Sequence, residues 1–123
     1  MRLIAFTVGC AALAGCHPPD QAIYNESTNC VGLFDVALRQ VRPDQFRKAG
    51  LFPDDIQRQA LDTYEGLPQT AAKLGLNSQS VRRDIELAKA HARSTYTQGT
   101  DASTARLIGA VKECMPKPEG PND

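Results

Sequence analysis

A chain of 123 residues with 14 basic and 14 acidic side chains has room for one small domain, and no global field draws it to nucleic acid or to an anionic membrane. With no Trp and aromatic residues at 6 %, its core must be modest and aliphatic, so the domain gains from a covalent staple. Four cysteines and two histidines leave little for metal or redox chemistry.

The first element is an apolar run. Leu3 to Gly15 is thirteen residues without a charge, preceded by Arg2 and followed by His17-Pro18-Pro19. A membrane span needs about 20 apolar residues, and this length suits the apolar middle of an export signal. An N-terminal core helix is the competing reading, and the two prolines oppose it. The run closes on Leu13-Ala14-Gly15-Cys16, which resembles the bacterial lipobox. That resemblance implies removal of residues 1–15 as a lipoprotein signal peptide, diacylglycerol on the Cys16 thiol and an acyl chain on its new amino group. One lipid chain binds a bilayer marginally, whereas two or more hold it firmly. His17, rather than Asp, follows the cysteine, which by the same resemblance favours the outer membrane, on its periplasmic side.

The mature chain of 108 residues keeps two unmodified cysteines, Cys30 and Cys114. In an oxidising compartment they are expected to pair, closing a loop worth about 4.5 kcal/mol in the chain-entropy account.

Residues 16–27 read as the lipidated cysteine and a tether, with Thr28 or Asn29 capping the first helix of a domain over 28–115. Cys30, Leu33, Phe34, Ala37, Leu38 and Val41 recur at helical spacing, and Pro43 ends that stripe. A turn of helix over 44–49 closes at Gly50. Pro53, Asp54 and Asp55 open the next helix, whose buried stripe is expected at Ile56, Ala60, Leu61 and Tyr64 before Gly66 and Pro68 interrupt it. A further turn spans 70–74. Asn77 or Ser78 caps the longest helix, with Val81, Ile85, Ala88, Ala92 and Tyr96 on its apolar face, and Gly99 stops it. Asp101 caps the last helix, which carries Leu107, Ile108, Val111 and Cys114, and residues 116–123 read as a disordered tail. No stretch alternates with period two. The expected fold is all-α, a small antiparallel bundle of four to five helices tied by one disulfide, with both cysteines on apolar helix faces.

Residues 70–90, TAAKLGLNSQSVRRDIELAKA, resemble the helix-turn-helix of bacterial sigma factors and repressors. Small residues stand at 71 and 72, glycine at 75, and Val81 and Ile85 on the second helix. The resemblance implies Arg82 and Arg83 facing DNA. Against it, the charge is balanced, and Arg82, Glu86, Lys89 and Arg93 alternate in sign along one face as solvated surfaces do. The competing reading is a structural corner between helices, so no nucleic acid partner is expected.

No catalytic motif is present: there is no HExxH, no Gly-rich phosphate loop and no GxSxG. His91 lies mid-helix, and Asp54-Asp55 sit where the helix dipole accounts for them. The expectation is a non-enzymatic, cofactor-free and metal-free module that binds a protein and is held to the membrane through Cys16. It is either an envelope-assembly component or an antitoxin-like inhibitor protecting the periplasm. An inhibitor would use charged segments such as Arg42, Arg47 and Lys48, or Asp54 and Asp55, unless these simply pair with each other. An assembly component would show an exposed apolar groove.

Overall fold

The computed structural model describes residues 19–96 and 100–116. The apolar run, Cys16 and the tail beyond Pro116 lie outside them. Five helices follow in order: α1 (Pro19–Gln40), α2 (Pro43–Lys48), α3 (Pro53–Lys73), α4 (Ser78–Thr95) and α5 (Asp101–Cys114), with no strand among the described residues. None of these helices is long and apolar enough to cross a membrane.

Helix α1 corrects the tether reading. Pro19 is the first described residue of the helix, its φ pre-set by its ring, and Asp20 lies in the first turn where the dipole favours it. Thr28 is therefore no cap. Its Oγ1 donates back to the carbonyls of Tyr24 and Asn25, both at 3.1 Å, and the residue is buried inside the helix. Tyr24 and Thr28 put a buried row ahead of Cys30, which extends the helix by two and a half turns.

The middle of α1 is apolar all round. Cys30, Val31, Gly32, Leu33 and Phe34 are consecutively buried, a pattern that places a helix at the centre of a bundle. α1 packs against α3, α4 and α5, whereas α3 and α4 meet each other only sparsely. One core cluster joins Phe34, Val36, Ala37 and Val41 to Phe46, Ile56, Ala92, Leu107 and Val111. A second joins Tyr24 and Val31 to Leu67, Ala71, Val81 and Ile85. These pairings make α3 and α5 antiparallel to α1, and α4 parallel to it. Cys30 and Cys114 are bridged, with their Cα atoms 5.7 Å apart, which staples the end of α5 to α1.

α2 and α3 end in the same way. In Phe46-Arg47-Lys48-Ala49-Gly50-Leu51, the Leu51 N–H donates to the Phe46 carbonyl (2.9 Å) and the Gly50 N–H to that of Arg47 (3.0 Å). In Ala71-Ala72-Lys73-Leu74-Gly75-Leu76, Leu76 donates to Ala71 (2.9 Å) and Gly75 to Ala72 (3.1 Å). Both are Schellman caps, and both glycines hold the left-handed conformation these caps require, at φ 81° and 75°. The shared Lys-x-Gly-Leu signature stops each helix, and each leucine folds back onto the core cluster its helix serves.

Two further expectations are corrected. α3 runs unbroken through Gly66 and Pro68 to Lys73, absorbing the expected separate turn. Pro68 leaves the Tyr64 carbonyl without its helical donor, a defect of about 3 kcal/mol in a helix interior. The proline lies on the exposed face, where water reaches the carbonyl, and the flanking Leu67 and Ala71 are buried to 1 % and 2 % exposure. Burying those two side chains against α1 and α4 holds the segment helical. The cap of α5 is Thr100 rather than Asp101, its Oγ1 accepting from the Ser103 N–H at 3.1 Å. Asn77 caps α4, as one of the two expected candidates, by accepting from the Ser80 N–H at 2.9 Å.

Candidate functional site

The stripe expected to be buried on α3 is buried only at its start. Ile56 is fully enclosed and Ala60 partly, but Leu61 is 55 % and Tyr64 48 % exposed. The cause is tertiary. α3 and α4 both lean on α1 and diverge, so the apolar edge of α3 has no helix beside it.

The divergence leaves a groove. Its floor is Val31, Asp35 and Leu38 of α1, one wall is Ala60, Leu61 and Tyr64 of α3, and the other is Ile85 and Lys89 of α4, enclosing about 320 Å³. Tyr64 also lines a separate depression of about 360 Å³ with Pro68, Ala71, Leu76, Val81 and Arg82 at the α3–α4 corner. Among the described residues, Tyr64 is the one that lines both. At the edge of the groove Lys89 is held by Glu86 (3.0 Å) and reaches Asp35 (3.9 Å), which also receives Arg39 at 3.1 Å. Lys89 and Asp35 are thus engaged with other charged groups, and the rest of the groove between them is apolar.

α4 is fixed against α1 by two contacts. At Gly32 the helices approach so closely that a Cβ there would lie 2.6 Å from Ala88 Cβ. About two turns towards the α1 N-terminus, buried Tyr24 donates its hydroxyl to Asp84 Oδ2 at 2.6 Å. Burial first, and then this hydrogen bond, push the Tyr24 phenol up to about 12, because both disfavour the phenolate.

The charged candidates lie at the other end of the bundle. Arg42, Arg47, Lys48, Asp54 and Asp55 are all exposed around α2 and the first turn of α3. Arg42 reaches Asp44 at 3.2 Å and Asp55 reaches Arg58 at 3.0 Å, so part of this charge pairs within its own segment. The Arg42 hydrogen bond holds the Asp44 carboxyl below its ordinary range. Arg42 and Lys48 flank a shallow cleft of about 350 Å³ against Asp101 and Thr104 of α5. No long loop projects here, since α2 joins its neighbours through short connections.

At the α3–α4 corner, Val81 and Ile85 are buried while Arg82 and Arg83 are exposed, as is Arg93 in the last turn of α4, and Arg83 lies 3.7 Å from Asp84. His91 is exposed, with only the Thr95 hydroxyl near its Nε2 at 3.5 Å. Among the described residues no three His, Cys, Asp or Glu side chains gather as metal ligands do.

The chain matches no protein-family model, no curated protein and no solved structure.

Nothing in residue identity alone marked the groove. Leu61 and Tyr64 were legible as apolar, but whether a neighbour covers them depends on the angle between α3 and α4. The sequence-level signal is faint: Leu61, Tyr64 and Pro68 follow at helical spacing, one residue beside the row of Ile56, Ala60, Leu67 and Ala71 that is turned to the core.

Proposed function

We propose that this protein is a lipid-anchored periplasmic binding module, an envelope-assembly component that receives an apolar segment of a partner protein between α3 and α4. The groove through Tyr64 carries the proposal. An exposed apolar groove is the feature expected of an assembly component rather than of an inhibitor that plugs a charged cleft. The partial self-pairing of the Arg42 and Asp55 segments points the same way. The address is supported by the Leu13 to Cys16 motif and by the Cys30–Cys114 bridge, which suits an oxidising compartment.

The test is photocrosslinking in intact cells, with a photoreactive residue at Leu61 of the full chain. A discrete protein adduct is expected, lost on Tyr64→Asp and retained when Arg47 and Lys48 are both changed to Glu. The reverse pattern, with the adduct surviving Tyr64→Asp and vanishing on charge reversal, refutes the groove and favours the inhibitor reading.

A further inference from the structure

The anchor and the fold together define which end of the bundle meets the bilayer. We infer that the α3–α4 corner and the first turns of α1 form a lipid-facing end, apposed to the phospholipid headgroups. The inference rests on the proposal that Cys16 is lipidated.

α1 is described from Pro19, so at most His17 and Pro18 separate it from Cys16. Three Cα–Cα steps of 3.8 Å bring Pro19 within about 11 Å of the lipidated residue. At 1.5 Å per residue the 22 residues of α1 extend about 33 Å from there. Had the helix started at residue 28, as a long tether requires, the domain could tumble freely; with two connecting residues it cannot.

The antiparallel packing determines what accompanies the α1 N-terminus. Tyr24 clusters with Leu67, Ala71 and Val81, with Leu74 and Leu76 packed against them, so the α3–α4 corner lies at this end. Val41 clusters with Phe46 and Ile56, so α2 and the start of α3 lie at the other. The near end carries exposed Lys73 and Arg82, outside any ion pair among the described residues, and Arg83 beside Asp84. It also carries Ile23, a large apolar side chain 49 % exposed and about 6 Å along α1 from Pro19. Against these cations stand Asp20 and Glu26 of α1, Glu65 of α3 and Asp84, so this end has no cationic surplus. A large exposed aliphatic side chain this close to the anchor suits the headgroup layer, where it reaches the acyl boundary while the mixed charges around it stay among the headgroups. The lipid supplies the affinity, and these residues supply the orientation.

The orientation gives the two ends different work. Arg47, Lys48, Asp54 and Asp55 are held away from the bilayer, and the groove runs between the ends along the side of the bundle.

The test places a photoreactive benzoylphenylalanine singly at Ile23, Gln79, Arg47 and Asp54 of the full chain in cells. All four positions are exposed, two at each end. Phospholipid adducts, read by mass, are expected at Ile23 and Gln79 at tenfold or more the yield at Arg47 and Asp54. Equal yields at the two ends, or no adduct at Ile23 and Gln79 in a processed, membrane-bound chain, overturn the orientation and leave the anchor standing. A chain found unprocessed and soluble overturns the anchor, and the orientation with it.

Discussion

Adding one methyl group at Gly32 should separate α1 from α4. An alanine Cβ there would stand 2.6 Å from Ala88 Cβ and 2.8 Å from both the Ala88 carbonyl carbon and the Lys89 nitrogen. Ordinary contact begins near 3.4 Å, and two of the three obstructing atoms are backbone, so no rotamer change relieves the clash. The helices must part by close to 1 Å, loosening the Tyr24–Asp84 hydrogen bond and the Val31–Ile85 packing on one side of the crossing. Overpacking of this kind costs about 1–3 kcal/mol, and the rigid backbone puts Gly32→Ala at the upper end. Against it, alanine is better than glycine inside a helix by about 1 kcal/mol. The net expectation is a loss of about 2 kcal/mol. Gly66→Ala and Gly109→Ala supply the control, since both lie in helices with nothing within 4 Å of the added carbon. Those two should be stabilised by up to about 1 kcal/mol. Urea unfolding of the oxidised domain, followed by circular dichroism, measures all three. The double variant Gly32→Ala, Ala88→Gly should recover part of the loss by removing one of the obstructing carbons. If Gly32→Ala is as stable as Gly66→Ala, the close crossing of α1 and α4 is wrong, and so is the groove that depends on it.

The folded state raises the Tyr24 phenol to about 12 from an ordinary value of 10.0, so the neutral form is the one the fold favours. Its contribution is fully present below pH 10 and is lost as pH rises from 10 towards 12. Denaturation midpoints across that range should fall less steeply for Tyr24→Phe than for the parent, and parallel curves would refute the assignment. At the α3–α4 corner, Ile85→Ala should cost about 2–4 kcal/mol by transfer and cavity terms. Arg82→Ala, at an exposed site, should change stability by less than about 0.5 kcal/mol. The same two variants separate corner from DNA reader, because salt-sensitive duplex binding lost on Arg82→Ala would restore the helix-turn-helix reading.

Much of this fold is legible because its signals are local. Lys48-Ala49-Gly50-Leu51 and Lys73-Leu74-Gly75-Leu76 end their helices through left-handed glycines, and Pro53 with two aspartates opens α3, whatever surrounds them. Cys30 and Cys114 could be paired because both fall on apolar helix faces. Local signals also misled. Thr28 has the chemistry of a cap and is buried mid-helix, and Pro68 has the chemistry of a helix breaker and lies inside α3. In both places burial of neighbours, Tyr24 in one case and Leu67 with Ala71 in the other, outweighs the preference of the single residue.

By itself, then, the sequence determined the helices, most of their ends, the staple and the apolar face of each segment, since these follow from backbone preference and from a period of 3.6. Which apolar faces would be covered was decided only in three dimensions. Gly32 lets α4 settle directly onto α1, α3 takes the neighbouring side of the same helix, and the two diverge. Leu61 and Tyr64 stay in water for that reason: periodicity says which way a side chain points, and only the crossing of other helices says what it meets there.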